Sequence, residues 1–298
     1  MNSEILQPLG SGVLRMMYSA PATPVEYRLR LGDETIPLNA LLGRRLMIRF
    51  AGRITCQHCG NLTRKSYGDG YCYPCFKTLA RCDLCVVSPD RCHYAAGTCR
   101  EPAWGEAFCM QPHLVYLANS AGAKVGITKP ENLPMRWLDQ GATQAVVIMR
   151  TRSRFEAGCV EAALARYVSD RTDWRGLIGG DAVRIDLPSL ATRLRIDAAV
   201  ELAALDSRFP GALSWVSELE PECFEYPVTA YASPANGLSL DAATEIAGTL
   251  LGIKGQYLML DSGVFNVRRH TSYHVDVARL ADAEVVTRED PRGQMELF

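Results

Sequence analysis

Two C-x-x-C pairs give the clearest chemical signal in this sequence. Cys56 and Cys59 lie in "CQHC", and Cys72 and Cys75 lie in "CYPC", with twelve residues between the pairs. One C-x-x-C turn brings two thiolates to an ion, and a second closes a tetrahedral site of the kind that structural zinc prefers. The alternative, a redox pair or buried free thiols, fits two pairs at this spacing less well. The segment therefore predicts a zinc-ribbon-like site.

The next stretch offers more ligands than a second zinc ion needs. We expect a second tetrahedral zinc site here, although spacing alone does not decide which four side chains donate. The expected ligands are Cys82, Cys85, Cys92 and Cys99, with Cys109 and His93 in reserve. Both sites would be closed by four protein ligands, so they would stabilise the fold and leave no open position for catalysis. A zinc or redox sensor built on the surplus cysteines is a separate alternative.

Composition limits the function classes. The formal net charge of the 298 residues is −1, so any contact with nucleic acid must come from a local patch and not from the field of the whole protein. The N-terminal "MNSEILQPLG" has neither a basic nor an apolar region of the kind that targets a chain for export, and we expect a cytoplasmic protein. That compartment keeps thiols reduced, so eleven cysteines indicate metal before disulfides.

Hydrophobic patterning predicts an α+β fold built from several modules. Segments that alternate or run apolar, with Gly and Pro between them, predict a β unit at each end of the chain. Between them, the order strand, strand, helix, strand, helix is expected after the cysteines. The expected modules are an N-terminal β unit at 1–55, a Cys-rich zinc-binding module at 56–112, an α/β unit at 113–215, a C-terminal β unit at 216–288 and a flexible tail at 289–298.

Four side chains of the 113–215 unit suit phosphodiester hydrolysis. Glu161 would hold Mg²⁺ or Mn²⁺ through one carboxylate, which suits a hard cation that keeps most of its waters. Arg136 would clamp a phosphate oxygen with its planar guanidinium, and Lys124 would add a second positive charge. Tyr116 would act as a general base or orient the attacking water. Each residue also has a structural alternative, as core, ion-pair or solvated position.

The same hairpin resembles the GIY-YIG nuclease superfamily, particularly its divergent members. "LVYLA" is similar to the first motif of that superfamily and offers Tyr116. "KVGIT" is similar to the second motif, with Lys124 at the position where a tyrosine is usual. An ammonium can stabilise a phosphate, but it accepts a proton only if its pKa is strongly lowered. The resemblance therefore implies phosphate binding and leaves catalysis open.

Two helices extend the resemblance. "ENLPMRWLDQGA" is similar to the arginine-bearing helix and offers Arg136, with Gln140 one turn later where the superfamily often has a histidine or tyrosine. "RFEAGCVEAALARYV" is similar to the helix that supplies a metal-binding glutamate, which implies Glu161, with Glu156 as the substitute. Asp173 falls where the superfamily often has an asparagine. The resemblance implies a metal-dependent endonuclease, and the alternative is a non-catalytic nucleic-acid-binding adaptor.

Arginines and aromatic side chains gather around this unit. They are Arg150, Arg152, Arg154, Arg166, Arg171 and Arg175, with Trp137, Tyr167 and Trp174. Such a mixture suits a nucleic-acid backbone with some base stacking, and DNA is the expected partner ahead of RNA. The alternative is an ordinary solvated face with interspersed acids.

The last residues, "GQMELF", resemble the peptide with which bacterial proteins of DNA metabolism dock on the DNA polymerase sliding clamp. Gln294, Leu297 and Phe298 match its conserved pattern. A flexible terminus can place two apolar anchors in a preformed groove at modest ordering cost. The alternative is a tail that folds back on the protein.

Four segments together resemble the bacterial family DUF2797. They are "GTCREPAWGE", "HLVYLANSAGAKVGIT", "RWLDQGA" and "GIKGQYL". This resemblance implies a shared architecture and does not imply a particular activity.

Overall fold

The described part of the chain forms an α+β fold with two β-sheets. The computed structural model describes residues 6–168, 174–231 and 236–280. The strands are β1 (Leu6–Ala20), β2 (Glu26–Leu31), β3 (Glu34–Pro37), β4 (Arg45–Thr55), β5 (Leu62–Thr63), β6 (His113–Asn119), β7 (Ala123–Thr128), β8 (Gln144–Thr151), β9 (Leu213–Trp215), β10 (Glu222–Cys223), β11 (Gly237–Leu238), β12 (Glu245–Lys254), β13 (Tyr257–Leu260), β14 (Gly263–Asn266) and β15 (Tyr273–Leu280). The helices are α1 (Tyr73–Thr78), α2 (Leu84–Val87), α3 (Pro102–Phe108), α4 (Met135–Asp139), α5 (Arg154–Leu164), α6 (Trp174–Gly179), α7 (Leu187–Asp197) and α8 (Ala199–Arg208).

The larger sheet joins both ends of the chain. Its order is β11-β14-β13-β12-β4-β15-β1-β2-β3, with β5 paired to β4, so β15 lies between β1 and β4. The sequence predicts two β units, at 1–55 and 216–288, and the structure pairs strands of both within one sheet. Alternating residues identify the strands because successive side chains point to opposite faces. They do not reveal partners that are distant along the chain.

One apolar core belongs to this sheet. In β2, Tyr27, Leu29 and Leu31 are buried and alternate with exposed residues. These side chains share a cluster with Leu258 of β13 and Phe265 of β14, from the opposite side of the strand order. The sheet therefore curls around its core.

The smaller sheet is antiparallel, with the order β10-β8-β6-β7 and β9 paired to β8. Every residue of β6 is buried because both faces are covered. Val115 and Leu117 pack with residues of α5, α7 and α8, whereas Tyr116 packs with Trp137 of α4 on the other face. The element order predicted for 113–215 is observed, and β10 extends this sheet past residue 215.

Helix α5 joins the small sheet to the Cys-rich segment. The side chain of Ser153 caps its first turn by accepting a hydrogen bond from the backbone N–H of Glu156. Gly158 faces a 3₁₀ turn at Pro89–Arg91, and a Cβ at Gly158 would lie 2.4 Å from the Cβ of Pro89. Only glycine permits this close approach.

No helix in the described part of the chain combines the length and the apolar character that crossing a bilayer requires.

Candidate functional site

The two C-x-x-C pairs form one compact cluster. The Sγ atoms of Cys56, Cys59, Cys72 and Cys75 all lie within 4.8 Å of one another, and those of Cys59 and Cys72 are 3.8 Å apart. The first turn closes with a hydrogen bond from the Gly60 N–H to the Cys56 carbonyl, and Gly60 has φ +73, which glycine adopts readily. Four thiols at this separation can hold one metal ion.

The environment of Cys56 favours the thiolate that a metal requires. Burial raises its pKa, but backbone N–H groups of Cys59, Cys72 and His58 hydrogen-bond to the sulfur, and the pKa falls to about 6. The pKa of Cys75 is raised by burial and by the neighbouring thiols, and that of Cys72 is also raised, so the low pKa belongs to Cys56 and not to the whole cluster.

A second group of cysteines differs from the expected set. Cys85, Cys92, Cys99 and Cys109 line one small cavity, whereas Cys82 lines a separate, larger cleft. Spacing could not reveal this division because the intervening helices α2 and α3 set the direction of each thiol. His93 is also near, since ligand atoms of Asp83, Cys85 and His93 lie within 4.8 Å of one another.

The β6–β7 hairpin brings Tyr116 and Lys124 to the same face of the small sheet. Tyr116 pairs with Gly126, and Ala118 pairs with Lys124. Each residue of the second pair is two positions from its counterpart in the same strand, so all four side-chain positions share one face. A Cβ at Gly126 would lie 2.6 Å from the Tyr116 hydroxyl. Glycine at this position therefore lets the tyrosine ring lie across β7.

Tyr116 is completely buried and hydrogen-bonded. Gln140 donates to its hydroxyl, with 2.8 Å between Nε2 and Oη. Burial raises the pKa of Tyr116, although the Arg136 guanidinium and the Gln140 amide oppose the shift. The phenol is therefore protonated at neutral pH, and it suits orientation of a neighbouring group better than proton abstraction.

Lys124 has the opposite character. It is 6 % exposed, and burial lowers its pKa to about 8, assisted by the positive charge of Arg136 and opposed by the negative charge of Glu161. An amine with this pKa exchanges a proton close to neutral pH. Lys124 is therefore mostly an ammonium at pH 7, with a minority of neutral amine that can accept a proton.

Arg136 and Glu161 line a cleft of about 610 Å³. The charged side chains that line it are Arg81, Lys129, Arg136, Arg154, Arg268, Asp69, Asp83 and Glu161. Cations outnumber carboxylates, so the cleft favours an anion. Tyr116, Lys124 and Gln140 are not among its lining residues.

The structure separates the two candidate glutamates. Glu161 lines the cleft. Glu156 is 8 % exposed, lies outside the cleft lining, and pairs through Oε1 with Arg152 at 3.5 Å. Glu161 is therefore the better placed carboxylate for a divalent cation, which keeps most of its waters when one carboxylate binds it.

Several positively charged residues of the cleft were not predicted from the sequence. Arg81 comes from the Cys-rich module, and Arg268 follows β14 of the large sheet. Lys129 follows β7, with its Nζ 4.8 Å from the centre of the Phe108 ring. No local pattern connects these residues, because only the folded chain brings them together.

The arginines and aromatic residues of the predicted basic patch differ in their surroundings. Of its described arginines only Arg154 lines the cleft, whereas Arg166 pairs with Glu201 at 3.2 Å and Arg175 lies over the ring of Trp174. Trp137 is buried, Tyr167 donates to Glu201, and Trp174 stacks on Tyr257. Arg150 and Arg152 are exposed. Residues outside the described part of the chain are Arg171, Asp173, Gln294, Leu297 and Phe298.

The comparisons with known proteins give one result. The model of a family described as "Protein of unknown function (DUF2797)" matches residues 43–275. This range runs from just before β4 into β15 and includes the Cys-rich segment and the whole small sheet. No curated protein and no solved structure matches the chain.

Proposed function

This chain belongs to the DUF2797 family, and we propose that it binds the sugar–phosphate backbone of a nucleic acid in the cleft and hydrolyses a phosphodiester bond there. Zinc at Cys56, Cys59, Cys72 and Cys75 has a structural role in this proposal. The observation that supports it most is the convergence of Lys124, Arg136 and Glu161 beside a cationic cleft.

The electrostatics of the three side chains support the proposal. The charges of Arg136 and Glu161 both shift the pKa of Lys124, in opposite directions, so the three groups interact. Arg136 and Glu161 face the cleft, where Arg81 and Arg154 add positive charge from other parts of the chain, whereas Arg268 is paired there with Asp69 at 2.6 Å. Such a cleft suits a polyanion that extends across several phosphates, because each phosphate contact adds to affinity.

The proposal gives each of these side chains a separate role. Arg136 clamps a phosphoryl oxygen with its guanidinium and stabilises the charge that develops there. Glu161 is the carboxylate that would hold Mg²⁺ or Mn²⁺, which supplies charge neutralisation and lowers the pKa of a bound water. Tyr116 donates its hydroxyl hydrogen to orient its neighbours, because the Gln140 amide already occupies the acceptor side of the oxygen.

Lys124 moves the proton. With a pKa of about 8, roughly one amine in ten is neutral at pH 7. The neutral amine takes a proton from the attacking water, through one intervening water, as the water oxygen bonds to phosphorus. The bond between phosphorus and the leaving oxygen breaks, and that oxygen takes a proton from solvent. The products are one phosphate monoester and one free hydroxyl group.

A second candidate function is a non-catalytic adaptor. Burial favours it, because Tyr116 is 0 % and Lys124 is 6 % exposed, so neither touches a ligand in the cleft without some opening of the site. An adaptor would use the same cations for binding and would leave the phosphodiester intact. A sliding clamp is the further partner proposed for it, through Gln294, Leu297 and Phe298.

One panel experiment separates the two functions. Branched, single-stranded and duplex DNA and RNA are incubated with the full chain without added divalent cation to measure binding, and with Mg²⁺ or Mn²⁺ to measure cleavage. Binding with metal-dependent cleavage supports the nuclease, and binding without cleavage of any substrate supports the adaptor. Absence of binding across the panel at low salt contradicts both.

A further inference from the structure

We infer that Cys85, Cys92, Cys99 and Cys109 form a second metal centre, of the type that takes Zn²⁺, and that this centre holds one wall of the cleft in place. The metal centre is inferred from the positions of the cysteines and does not depend on the proposed function. Its effect on nucleic-acid affinity rests on the proposed function.

The four cysteines line one cavity from four short segments, and their sulfur atoms are not all within 4.8 Å of one another, so a bound ion would draw them together. Cys85 lies in α2, Cys92 ends the 3₁₀ turn at Pro89–Arg91, Cys99 precedes α3, and Cys109 is the C-cap residue of α3. They line a cavity of about 10 Å³, which has room for about one water-sized sphere. All are free thiols, so no disulfide competes for them. Four thiolates around one small space are a donor set that Zn²⁺ prefers.

A glycine allows helix α3 to approach the cavity. A Cβ at Gly105 would lie 3.1 Å from the Sγ of Cys99. The Gly105 carbonyl accepts a hydrogen bond of 2.7 Å from the N–H of Cys109, which fixes the end of the helix at the cavity. Helix and thiols are thereby held at close range.

Asp83 and His93 are the competing ligands, because their ligand atoms lie within 4.8 Å of each other and of the Cys85 Sγ, and each also has a further partner. The Oδ2 atom of Asp83 lies 2.7 Å from Nε of Arg100 and 3.4 Å from Nε2 of His93. The other ring nitrogen of His93, Nδ1, lies 2.8 Å from the hydroxyl oxygen of Thr98. Each therefore has partners of its own, and the pair suits a supporting position beside the thiols.

The cysteine-bound segment also fixes two cleft elements. Arg154 donates from its backbone N–H to the Cys109 carbonyl at 2.8 Å, and from Nη2 to the Val86 carbonyl at 2.6 Å. Gly158 of α5 packs against Pro89, which lies between Cys85 and Cys92 in the sequence. A metal ion that folds this segment would thus set the position of Arg154 and of the helix that carries Glu161.

Metal content tests the centre directly. Native mass spectrometry of the full chain is expected to show two zinc ions in the unmodified protein and in Cys82→Ser. One ion is expected in Cys109→Ser. Retention of both ions by Cys109→Ser, or loss of one by Cys82→Ser, would overturn the assignment.

X-ray absorption at the zinc edge tests the same centre without any variant, in case Cys109→Ser does not fold. The zinc in the unmodified protein is expected to have four sulfur neighbours per ion, with no nitrogen or oxygen. A mixed shell would show that His93 or Asp83 is a ligand and would contradict the four-thiol site.

The effect on the cleft is a separate measurement. Affinity for a nucleic acid that the unmodified protein binds is expected to fall about tenfold in Cys109→Ser, with no change in Cys223→Ser, whose thiol is exposed on β10. Equal affinities for the two variants would overturn the effect on the cleft. A failure of the unmodified protein to bind would instead overturn the proposed function, because the metal count is independent of nucleic acid.

Discussion

The side-chain amide of Gln140 donates a hydrogen bond to the buried hydroxyl of Tyr116, with 2.8 Å between Nε2 and Oη. The Oε1 atom of the same amide is buried without a hydrogen-bond partner. In Tyr116→Phe the donor would lose its partner too, while the ring still packs on Trp137. We expect a loss of about 1–3 kcal/mol in the free energy of unfolding, measured by urea denaturation. Tyr18→Phe, at a 50 % exposed position, is the control and should change little. Equal stability of the two variants would contradict this account.

Gly126 is expected to tolerate no side chain. Gly126→Ala would place a Cβ 2.6 Å from the Tyr116 hydroxyl, so ring or strand must move. The expected cost is about 1–3 kcal/mol of stability, measured by thermal unfolding, together with a loss of function. Gly179→Ala, where a Cβ meets no atom within 4 Å, is the matched control. If Gly126→Ala unfolds at the same temperature as the unmodified protein, the close approach of Gly126 and Tyr116 is contradicted.

Lys124 should impose a pH dependence on cleavage. Below its pKa of about 8, Lys124 is mostly an ammonium, which cannot accept a proton. Above that pKa it is mostly a neutral amine, which can. The single-turnover rate should therefore rise from pH 6 to 9, with a midpoint at or above 8, because a bound phosphate raises the pKa of the amine. Lys124→Arg keeps a positive charge that does not titrate in this range.

The profile of Lys124→Arg distinguishes the amine from a metal-bound water. In this variant we expect the residual single-turnover rate to show no increase with pH that is due to deprotonation of the Lys124 amine. An unchanged rise in Lys124→Arg would assign the titration to another group.

Helix α4 should depend on the large sheet for its position. The Oδ1 atom of Asp139 accepts hydrogen bonds from Gln256 at 3.0 Å and Ser19 at 3.1 Å, and Gln256 Oε1 accepts from the Met17 N–H. Gln256→Ala leaves these buried groups short of partners, so about 1–3 kcal/mol of stability should be lost. Affinity for nucleic acid should also fall, because Arg136 lies on α4.

Gln111→Ala supplies the comparison for that variant. Gln111 is exposed, and its side chain donates only to the Glu106 carbonyl. Both stability and affinity should be close to those of the unmodified protein. If Gln256→Ala matches Gln111→Ala in both measurements, the docking of α4 does not set the site.

Local spacing was enough to predict parts of this structure. The C-x-x-C pairs identify the first cysteine cluster because each turn fixes two thiols, and the element order of 113–215 follows from hydrophobic periodicity. The α+β class follows from the same patterns. The catalytic roles assigned to Tyr116, Arg136 and Glu161 stay predictions, although the fold brings the three residues close together.

Features that depend on distant parts of the chain could not be predicted. Cys109, a reserve ligand in the sequence prediction, lines the small cavity, whereas Cys82 lines the larger cleft. Arg81 and Arg268 meet at one cleft only through tertiary packing. Likewise, alternation in β1 and β15 shows which residues face the core but not that the two strands are neighbours. Pairing of this kind is set by the whole fold.

Arg136 should contribute to binding more than an arginine outside the cleft. Arg136→Ala removes one phosphate contact, so affinity should fall about tenfold and the slope of log affinity against log salt should shrink by about one. Arg150→Ala, at an exposed site outside the cleft lining, should preserve both. Fluorescence anisotropy across a salt series measures the two quantities. The same slope for both variants would remove Arg136 from the proposed interface.

The most direct test is the effect of Glu161→Gln on cleavage and on binding, measured with one substrate. The proposed function predicts that this variant loses metal-dependent cleavage by about 100-fold or more while its affinity without added divalent cation stays within about twofold. Glu156→Gln, outside the cleft lining, should retain cleavage. Cleavage that survives in Glu161→Gln would contradict the site, and tight binding by the unmodified protein without any cleavage would contradict the enzyme and establish the adaptor.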